Sequence, residues 1–364
     1  MTSHPRTGRH FLLMGAIALA LSPALLAQTV SVFATGLNNP RGLKFGPDGN
    51  LYVAEGGMGG TASTAGICNQ VVAPVGPYTG GFTAKITKVA PDGTATTVAE
   101  HLPSSQTSAL TGALTSGVAD VAFIGDKLYA LYAGAGCSHG LAGTANGIVR
   151  VNPNGTTTNI ASLEAFQRAH PAANIEPDDF EPSGTWYSMV AVNGAFYAVE
   201  PNHGEFDVAW PNGNVKRIVD ISNIQGHIVP TAVAYDGHDF FVGNLDTFPI
   251  KDGSSKIMKI TPDGKLTTVY IGFSVILGLA FDSQGRLYVL ENTTGNPGPT
   301  PNTAKILRVD GKNNYTTVVD GATTALSLPT AMTFGPDGNL YVSNLGFGLP
   351  PDGEGQILKI TLLD

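Results

Sequence analysis

The sequence is poor in charged residues and carries few signatures of known catalytic classes. Lys, Arg, Asp and Glu make up 13% of the 364 residues, and the formal net charge is −8. No basic stripe is present, which argues against nucleic acid as a partner because the phosphate backbone is bound by clustered Lys and Arg. The chain contains no H-E-x-x-H, no P-loop lysine and no complete G-x-G-x-x-G after a strand. These absences exclude the metalloprotease, nucleotide-hydrolysing and dinucleotide-binding classes that the motifs mark.

Glycine and proline, in contrast, are abundant, with 46 and 24 residues. They occur within a sequence repeat that is present in six copies. Each copy has an apolar arm, a Gly/Asp turn and a second arm of the Leu-Tyr-Val type. In the turn Gly46-Pro47-Asp48-Gly49, proline presets the first corner and glycine accepts the positive φ of a tight hairpin. Repeated strand–turn–strand units predict a β-propeller. The copies occupy residues 42–55, 120–132, 189–200, 232–244, 278–291 and 331–344.

A second hairpin follows each of the first five copies, so the repeating unit has four strands. The sixth unit ends after its third strand, in 355–364, whereas a spare strand, TVSVFATGL at 29–37, precedes the first copy. A strand from the N-terminus that pairs into the last blade leaves no free sheet edge. We therefore predict an all-β, six-bladed β-propeller of four-stranded antiparallel blades, forming one domain over 29–364, and we expect a monomer. One short helix is predicted at 161–170, capped by Ser162.

The first 28 residues have the pattern of an export signal. Basic residues, Arg6 and Arg9 among them, precede the apolar run FLLMGAIALALSPALLA at 11–27, which ends in small residues. We predict a signal peptide over 1–28 and an exported protein, periplasmic or extracellular, with no stable membrane anchor after cleavage. The alternative is a retained membrane anchor, because the length of the run is near the lower bound for a spanning helix.

The two cysteines lie in long loops of neighbouring repeats. Cys68 and Cys137 each follow the second strand of their unit, so both loops should emerge on the same face. In an oxidising compartment this placement predicts a disulfide, provided that the Cα atoms approach within about 7 Å. Two unpaired, partly buried thiols are the alternative.

The longest loops all follow second strands, so we expect binding or chemistry at the long-loop mouth of the propeller. One aligned position at the ends of these strands stands out because it is almost always a carboxylate or an amide. Two or three such oxygens at once could hold a hard cation, and the cofactor expected in that case is Ca²⁺. The alternative is hydrogen bonding between blades at the strand ends. The aligned residues are Glu55, Tyr132, Glu200, Asn244, Glu291 and Asn344, and all except Tyr132 are candidate metal ligands.

Three histidines lie beside glycine on the same predicted face, where we expect them to be solvent-exposed. His139 occurs in AGCSHG, His203 in EPNHG and His227 in GHIVPTA. An imidazole there could act as a general base or a metal ligand because its pKa lies near neutrality, although a loop histidine can equally serve as a hydrogen bonder in a turn. A small-molecule ligand is the expected partner, and its candidate binding residues are Glu200, Asn202, Tyr132, Trp186, Arg41 and Asp120.

Several segments together resemble the ScyD/ScyE family of exported proteins. They include LNNPRGLKFGPDGNLYVAEGG (37–57), TWYSMVAVNGAFYAVEPNHGE (185–205) and GHIVPTAVAY (226–235), and the resemblance covers essentially the whole chain after the signal. It implies a six-bladed propeller and export. The repeat is more distantly similar to NHL, gluconolactonase and paraoxonase propellers, which place carboxylate and Asn metal ligands at the channel ends of their innermost strands. Here Asp120 is the single carboxylate at those positions.

Two functional hypotheses remain open, and whether the protein is an enzyme is left undecided. The first is an exported binding or assembly protein for a small extracellular metabolite, favoured by a funnel of Gly-rich loops with Tyr78, Phe82, Trp186 and Phe347. The second is a metal-dependent hydrolase or oxidoreductase of the Ca²⁺ type at the channel mouth, favoured by the aligned carboxylates and the three histidines.

Overall fold

The fold consists of six antiparallel sheets arranged as the blades of a β-propeller. The structure is a computed structural model, and it describes residues 1–2, 28–112, 114–347 and 353–362. Five sheets have four strands, and the first has a fifth short strand, Thr115–Ser116. The predicted fold class is therefore confirmed. The predicted signal peptide, 1–28, lies almost entirely outside the described residues.

Each copy of the sequence repeat forms the two innermost strands of its blade. The first strands contact one another around the ring, which places them at the axis. From blade 1 to blade 6, the first strands are Pro40–Phe45, Val118–Ile124, Ser188–Val192, Pro230–Tyr235, Ile276–Phe281 and Ala331–Phe334. The second strands are Leu51–Glu55, Lys127–Tyr132, Ala195–Glu200, Phe240–Asn244, Leu287–Glu291 and Leu340–Asn344.

The second hairpin of each unit supplies the two outer strands. The third strands are Thr79–Val89, Gly147–Val151, Glu205–Ala209, Ser255–Ile260, Lys305–Gly311 and Gly355–Thr361. The fourth strands are Ala95–Gln106, Thr157–Ala161, Val215–Asp220, Leu266–Phe273, Asn314–Asp320 and, in blade 6, Thr29–Leu37.

The ring closes as the sequence predicts. Thr29–Leu37 runs antiparallel to Gly355–Thr361, with Val30 opposite Ile360. This pairing joins the two ends of the chain in one sheet, so the third strand of blade 6 is covered rather than left as an edge.

Neighbouring blades pack against each other through an aromatic pair that recurs around the ring. The Tyr or Phe of a second strand packs against the aromatic residue that closes the first strand of the next blade. Tyr52 meets Phe123 at 5.0 Å between ring centroids, with the planes at 74°. Edge-to-face pairs of this kind add to the apolar area that the blades bury. The equivalent pairs are Phe241 with Phe281, Tyr288 with Phe334 and Tyr341 with Phe45.

The described residues include two α-helices outside the blades. The predicted helix is present as Leu163–Ala169, and Ser162 Oγ accepts a hydrogen bond from the backbone N–H of Ala165. A second helix, Ile221–Gln225, was not anticipated, although Asp220 caps it in the same way. The 3₁₀ segments are Ala109–Thr111, Cys137–His139 and Pro177–Asp179. Within the described ranges, no helix is long and apolar enough to cross a membrane.

The predicted disulfide is present. Cys68 and Cys137 are bonded, with their Cα atoms 6.3 Å apart. The bond ties the long loop of blade 1 to the loop of blade 2, and the hydroxyl of Thr64 adds a hydrogen bond to the carbonyl oxygen of Cys137.

Candidate functional site

The aligned carboxylates and amides at the strand ends bind backbone groups of the segments that lead into each blade. Glu55 Oε2 accepts the backbone N–H of Asn38 at 2.6 Å, and Asn244 donates to the carbonyl oxygen of Ile228 at 2.8 Å. This geometry matches the hydrogen-bonding alternative, because the partners belong to the connections between blades. The equivalent acceptors are Glu200 with Thr185 N–H, Glu291 with Ser274 N–H and Asn344 with Ser327 N–H, at 2.9, 2.7 and 2.8 Å.

The Ca²⁺ hypothesis for these five residues stays a prediction. Each side chain is buried and binds a backbone group of its own connection between blades, so the oxygens serve five separate connections. Among the described residues, no group of three or more His, Cys, Asp and Glu side chains is arranged to hold a metal ion. Tyr132 differs from its aligned neighbours, since its hydroxyl donates to Thr157 Oγ1 at 3.1 Å.

His139 is buried, so the expectation of an exposed rim residue is wrong for it. Its Nδ1 lies 2.7 Å from Ser105 Oγ and its Nε2 lies 3.1 Å from the carbonyl oxygen of Gly184. Burial lowers the pKa of His139 to about 4, with the hydrogen bond to Gly184 opposing the shift. The imidazole is therefore neutral at physiological pH, and it braces the loop of blade 2 against the segment that enters blade 3.

His203 is buried against the same segment, with 3% of its surface exposed. Its Nε2 lies 3.0 Å from the carbonyl oxygen of Glu181, and its backbone N–H donates to Glu200. The structure thus brings two of the three predicted histidines to the segment 181–184 but encloses both. Asn202 is buried beside them, whereas His227 lies partly buried in the segment that enters blade 4.

Two buried carboxylates that sequence reasoning missed lie in the third strand of blade 3. Glu205 and Asp207 are fully buried on the strand face that Ala209 shares, and Arg217 from the next strand binds Glu205. Burial raises the pKa of Asp207 well above its usual range, and the negative charge of Glu205 adds to the shift. Alternation in EFDVA signals one polar face, but that face is buried because each blade is packed between two neighbours. Trp186, a predicted ligand contact, is buried in the same region.

Asp120, which was predicted, and Tyr187, which was missed, line the axial channel, and the predicted Arg41 lies beside Tyr187. Arg41 donates to the carbonyl oxygen of Thr115. Burial raises the pKa of Tyr187 to about 12, and the positive charge of Arg41 opposes that shift. The two carboxylate oxygens of Asp120 accept backbone N–H groups, Val121 at 2.8 Å and Met189 at 2.8 Å.

The channel widens away from the long loops. At the level of Asp120 it holds a cavity of only about 20 Å³, lined also by Gly42, Lys44 and Tyr187. Below it, toward the face that carries the short hairpin turns, lies a cavity of about 440 Å³. Lys44 lines both cavities. The aromatic residues around the larger one are Phe45, Phe123, Tyr235, Phe281 and Phe334.

The long-loop side of the channel carries an apolar cluster instead. Leu245, Ile250, Val275 and Leu277 are buried together there, with Tyr187 and Phe347 packed against them. The aromatic residues predicted to form a funnel are dispersed, since Tyr78 and Trp186 are buried between blades and Phe82 is half exposed. The larger cavity therefore opens on the opposite face from the predicted mouth.

Fold and channel together define the chain as a small six-bladed propeller of the type seen in gluconolactonase and glucose dehydrogenase structures. No family model and no curated protein matches the chain. The protein is similar in structure to a putative oxidoreductase (glucose dehydrogenase) from Thermus thermophilus, with a TM-score of 0.57 and 17% identity over 92% of this chain and 100% of that one. It is also similar to a gluconolactonase from Xanthomonas campestris, with a TM-score of 0.55 and 10% identity over 92% of this chain and 90% of that one. It is similar as well to a streptogramin B lyase structure, with a TM-score of 0.51 and 15% identity over 94% of this chain and 100% of that one. At these identities the likeness shows the fold alone.

Proposed function

We propose that the protein is an exported propeller that binds a small extracellular metabolite in its axial cavity. The observation that carries this proposal is the cavity of about 440 Å³ below Asp120. Its volume falls in the range of small-molecule sites, which are mostly apolar with a few placed polar groups. Here the walls are aromatic and aliphatic, while the narrow end carries Lys44, Asp120 and Tyr187.

The export part of the proposal rests on the N-terminal pattern and the disulfide. Residues 1–28 have the sequence pattern of a signal peptide, and the bond between Cys68 and Cys137 suits an oxidising compartment. The resemblance to the ScyD/ScyE family supports the same location, periplasmic or extracellular, for the domain at 29–364.

Binding is favoured over metal-dependent hydrolysis or oxidation because of the groups that line the channel. Among the described residues lining the two cavities, Asp120 is the one carboxylate, and both of its oxygens already accept backbone N–H groups. A Ca²⁺ site of the propeller-hydrolase type needs about six to eight oxygen ligands converging on one point. The wide cavity is lined instead by aromatic and aliphatic side chains together with polar groups, which suits a ring that carries a polar substituent.

Calorimetric titration with indole and 2-phenylethanol tests the proposal. Thr333 lines the cavity, and we expect Thr333→Trp to abolish binding by filling the space that the probes need. The matched control is Thr96→Trp on an exposed outer strand, which should bind as the parent protein does. Both variants must first show the parent's circular dichroism spectrum and cooperative unfolding. Binding that survives in a folded Thr333→Trp variant would place the site elsewhere and overturn the proposal.

A further inference from the structure

Lys44 is the one cation among the described residues that line the two axial cavities. It lies where the narrow cavity meets the wide one, near the end of the first strand of blade 1. No ion pair or hydrogen bond joins its ammonium group to another described residue. Lys44 is partly buried at this point, and an anionic ligand in the cavity could supply the partner that the described residues do not provide.

Asp120 is close enough to sense the charge of Lys44 but does not form an ion pair with it. The side chain is 3% exposed, and the N–H groups of Val121 and Met189 occupy its two oxygens. Burial raises the pKa of Asp120, an effect that the charge of Lys44 opposes. Asp120 is therefore turned toward the backbone of blades 2 and 3, and Lys44 presents the more accessible charge.

Aromatic side chains of the protein line the wide cavity on nearly every side. Five of the six blades contribute an aromatic residue at or next to the end of the first strand, and blade 3 contributes Val192. Most of these rings are held at fixed angles by an aromatic residue of the preceding blade, as Phe123 is held by Tyr52. A fixed ring of this kind offers stacking and edge-to-face contacts to an aromatic ligand at little cost in side-chain entropy.

Acidic residues also lie in the turns around the cavity mouth. Several of them are paired with a cation of their own blade, so their field at the cavity mouth is reduced and further screened by salt. The pairs are Asp239 with Lys259 at 3.0 Å, Asp282 with Arg286 at 2.5 Å and Asp337 with Lys359 at 2.8 Å.

From this juxtaposition we propose that the cavity takes an aromatic carboxylate, with the carboxylate on the Lys44 ammonium group and the ring among the aromatic side chains of the wide cavity. This inference rests on the proposed function, which concerns only the cavity, and it adds the chemical class of the ligand. A charge-assisted hydrogen bond to Lys44 supplies the selectivity, because a neutral analogue leaves the ammonium group without an anionic partner.

Three probes with the same ring separate charge from shape: phenylacetate, 2-phenylethanol and 2-phenylethylamine. In calorimetric titrations at neutral pH and low salt, we expect phenylacetate to bind at least about tenfold more tightly than the neutral alcohol. Lys44→Met retains the aliphatic stem and should remove that advantage, so that acid and alcohol bind alike. Lys216→Met changes an exposed lysine of blade 3 and should leave the preference intact.

Each other outcome separates this inference from the proposed function. Equal binding of acid and alcohol to the parent protein, blocked by Thr333→Trp, overturns the charge selection and leaves the cavity as the site. Preference for 2-phenylethylamine would mean that Asp120 selects a cation, which also overturns it. If indole binds and none of the three probes does, the ligand class is wrong although the cavity binds small molecules. If none of the four binds, the proposed function fails as well.

Discussion

The carboxylate of Asp120 lies directly against the Cα atom of Gly42. A Cβ atom on Gly42 would lie 1.9 Å from Asp120 Oδ1 and 2.7 Å from the Cα atom of Asp120. Blades 1 and 2 therefore approach each other at the axis only because residue 42 has no side chain. The same approach holds the carboxylate where the N–H groups of Val121 and Met189 can reach it.

We predict that Gly42→Ala destabilises the protein by roughly 1–3 kcal/mol, because the methyl group forces Asp120 away from its two backbone donors. Urea unfolding measures the change. Gly311→Ala is the matched control, since a Cβ there meets no heavy atom within 4 Å. Equal midpoints for the two variants would show that blades 1 and 2 can separate at no cost.

Glu291 should make stability depend on pH. Burial raises the pKa of Glu291 from 4.5 to about 7, although the N–H of Ser274 and the charge of Lys305 oppose the shift. The folded protein then holds a proton that the unfolded chain releases, so the free energy of unfolding falls as pH rises from about 4.5 to about 7. The full effect is on the order of 3 kcal/mol.

Glu291→Gln isolates this contribution because the amide oxygen can still accept the Ser274 N–H. We expect the variant to gain stability relative to the parent as pH rises through that range, as followed by urea unfolding at a series of pH values. Glu100→Gln, at an exposed site, should parallel the parent throughout. A constant difference between Glu291→Gln and the parent would mean that Glu291 is ionised in the folded protein.

Ring closure by Thr29–Leu37 should be needed for solubility. Deleting 29–36 removes the strand that pairs with Gly355–Thr361 and leaves that strand as an open edge in blade 6. We expect aggregation or a large fall in melting temperature, measured by scanning calorimetry and light scattering. A soluble monomer with the parent's melting temperature would contradict the role of the pairing.

The sequence was sufficient for the blade count, the closure and the disulfide because these follow from local repetition. A turn such as Gly46–Gly49 and the alternation beside it report on one hairpin, and the hairpin determines the blade. Burial of His139 has a different origin. It depends on the path of the segment 171–187, which joins blades 2 and 3 and covers the imidazole through Gly184. That path is a tertiary feature with no periodic signal.

The position of the cavity was also beyond the sequence. Loop length predicted a site on the long-loop side, yet the space along the axis depends on which side chains close each end. Leu277 and Phe347 pack at the long-loop end, whereas Phe45 and Phe334 leave space between them at the other. Arg41 and Asp120 were singled out because they are charged residues in otherwise apolar inner strands, and their role in binding stays a prediction. Tyr187 was missed because it lies just before the repeat copy at 189–200, where no pattern marks it.

His203 and Glu200 should prove important for stability, in contrast to what an exposed rim would imply. His203 has 3% of its surface exposed, and Glu200 is fully buried. Glu200 binds the backbone N–H groups of both Thr185 and His203, so it fixes the segment that enters blade 3. We predict losses of roughly 2–4 kcal/mol for His203→Ala and about 1–3 kcal/mol for Glu200→Gln, because buried hydrogen-bonding partners are left without a mate.

Urea unfolding measures both losses, and His238→Ala provides the control because His238 is exposed on a turn of blade 4. That variant should change the free energy of unfolding by less than about 0.5 kcal/mol. Ligand titration distinguishes a structural role from a binding role, since His203→Ala that remains folded should still bind indole when the site is the axial cavity. Loss of indole binding together with unchanged stability would return the binding site to the long-loop face, where the sequence placed it.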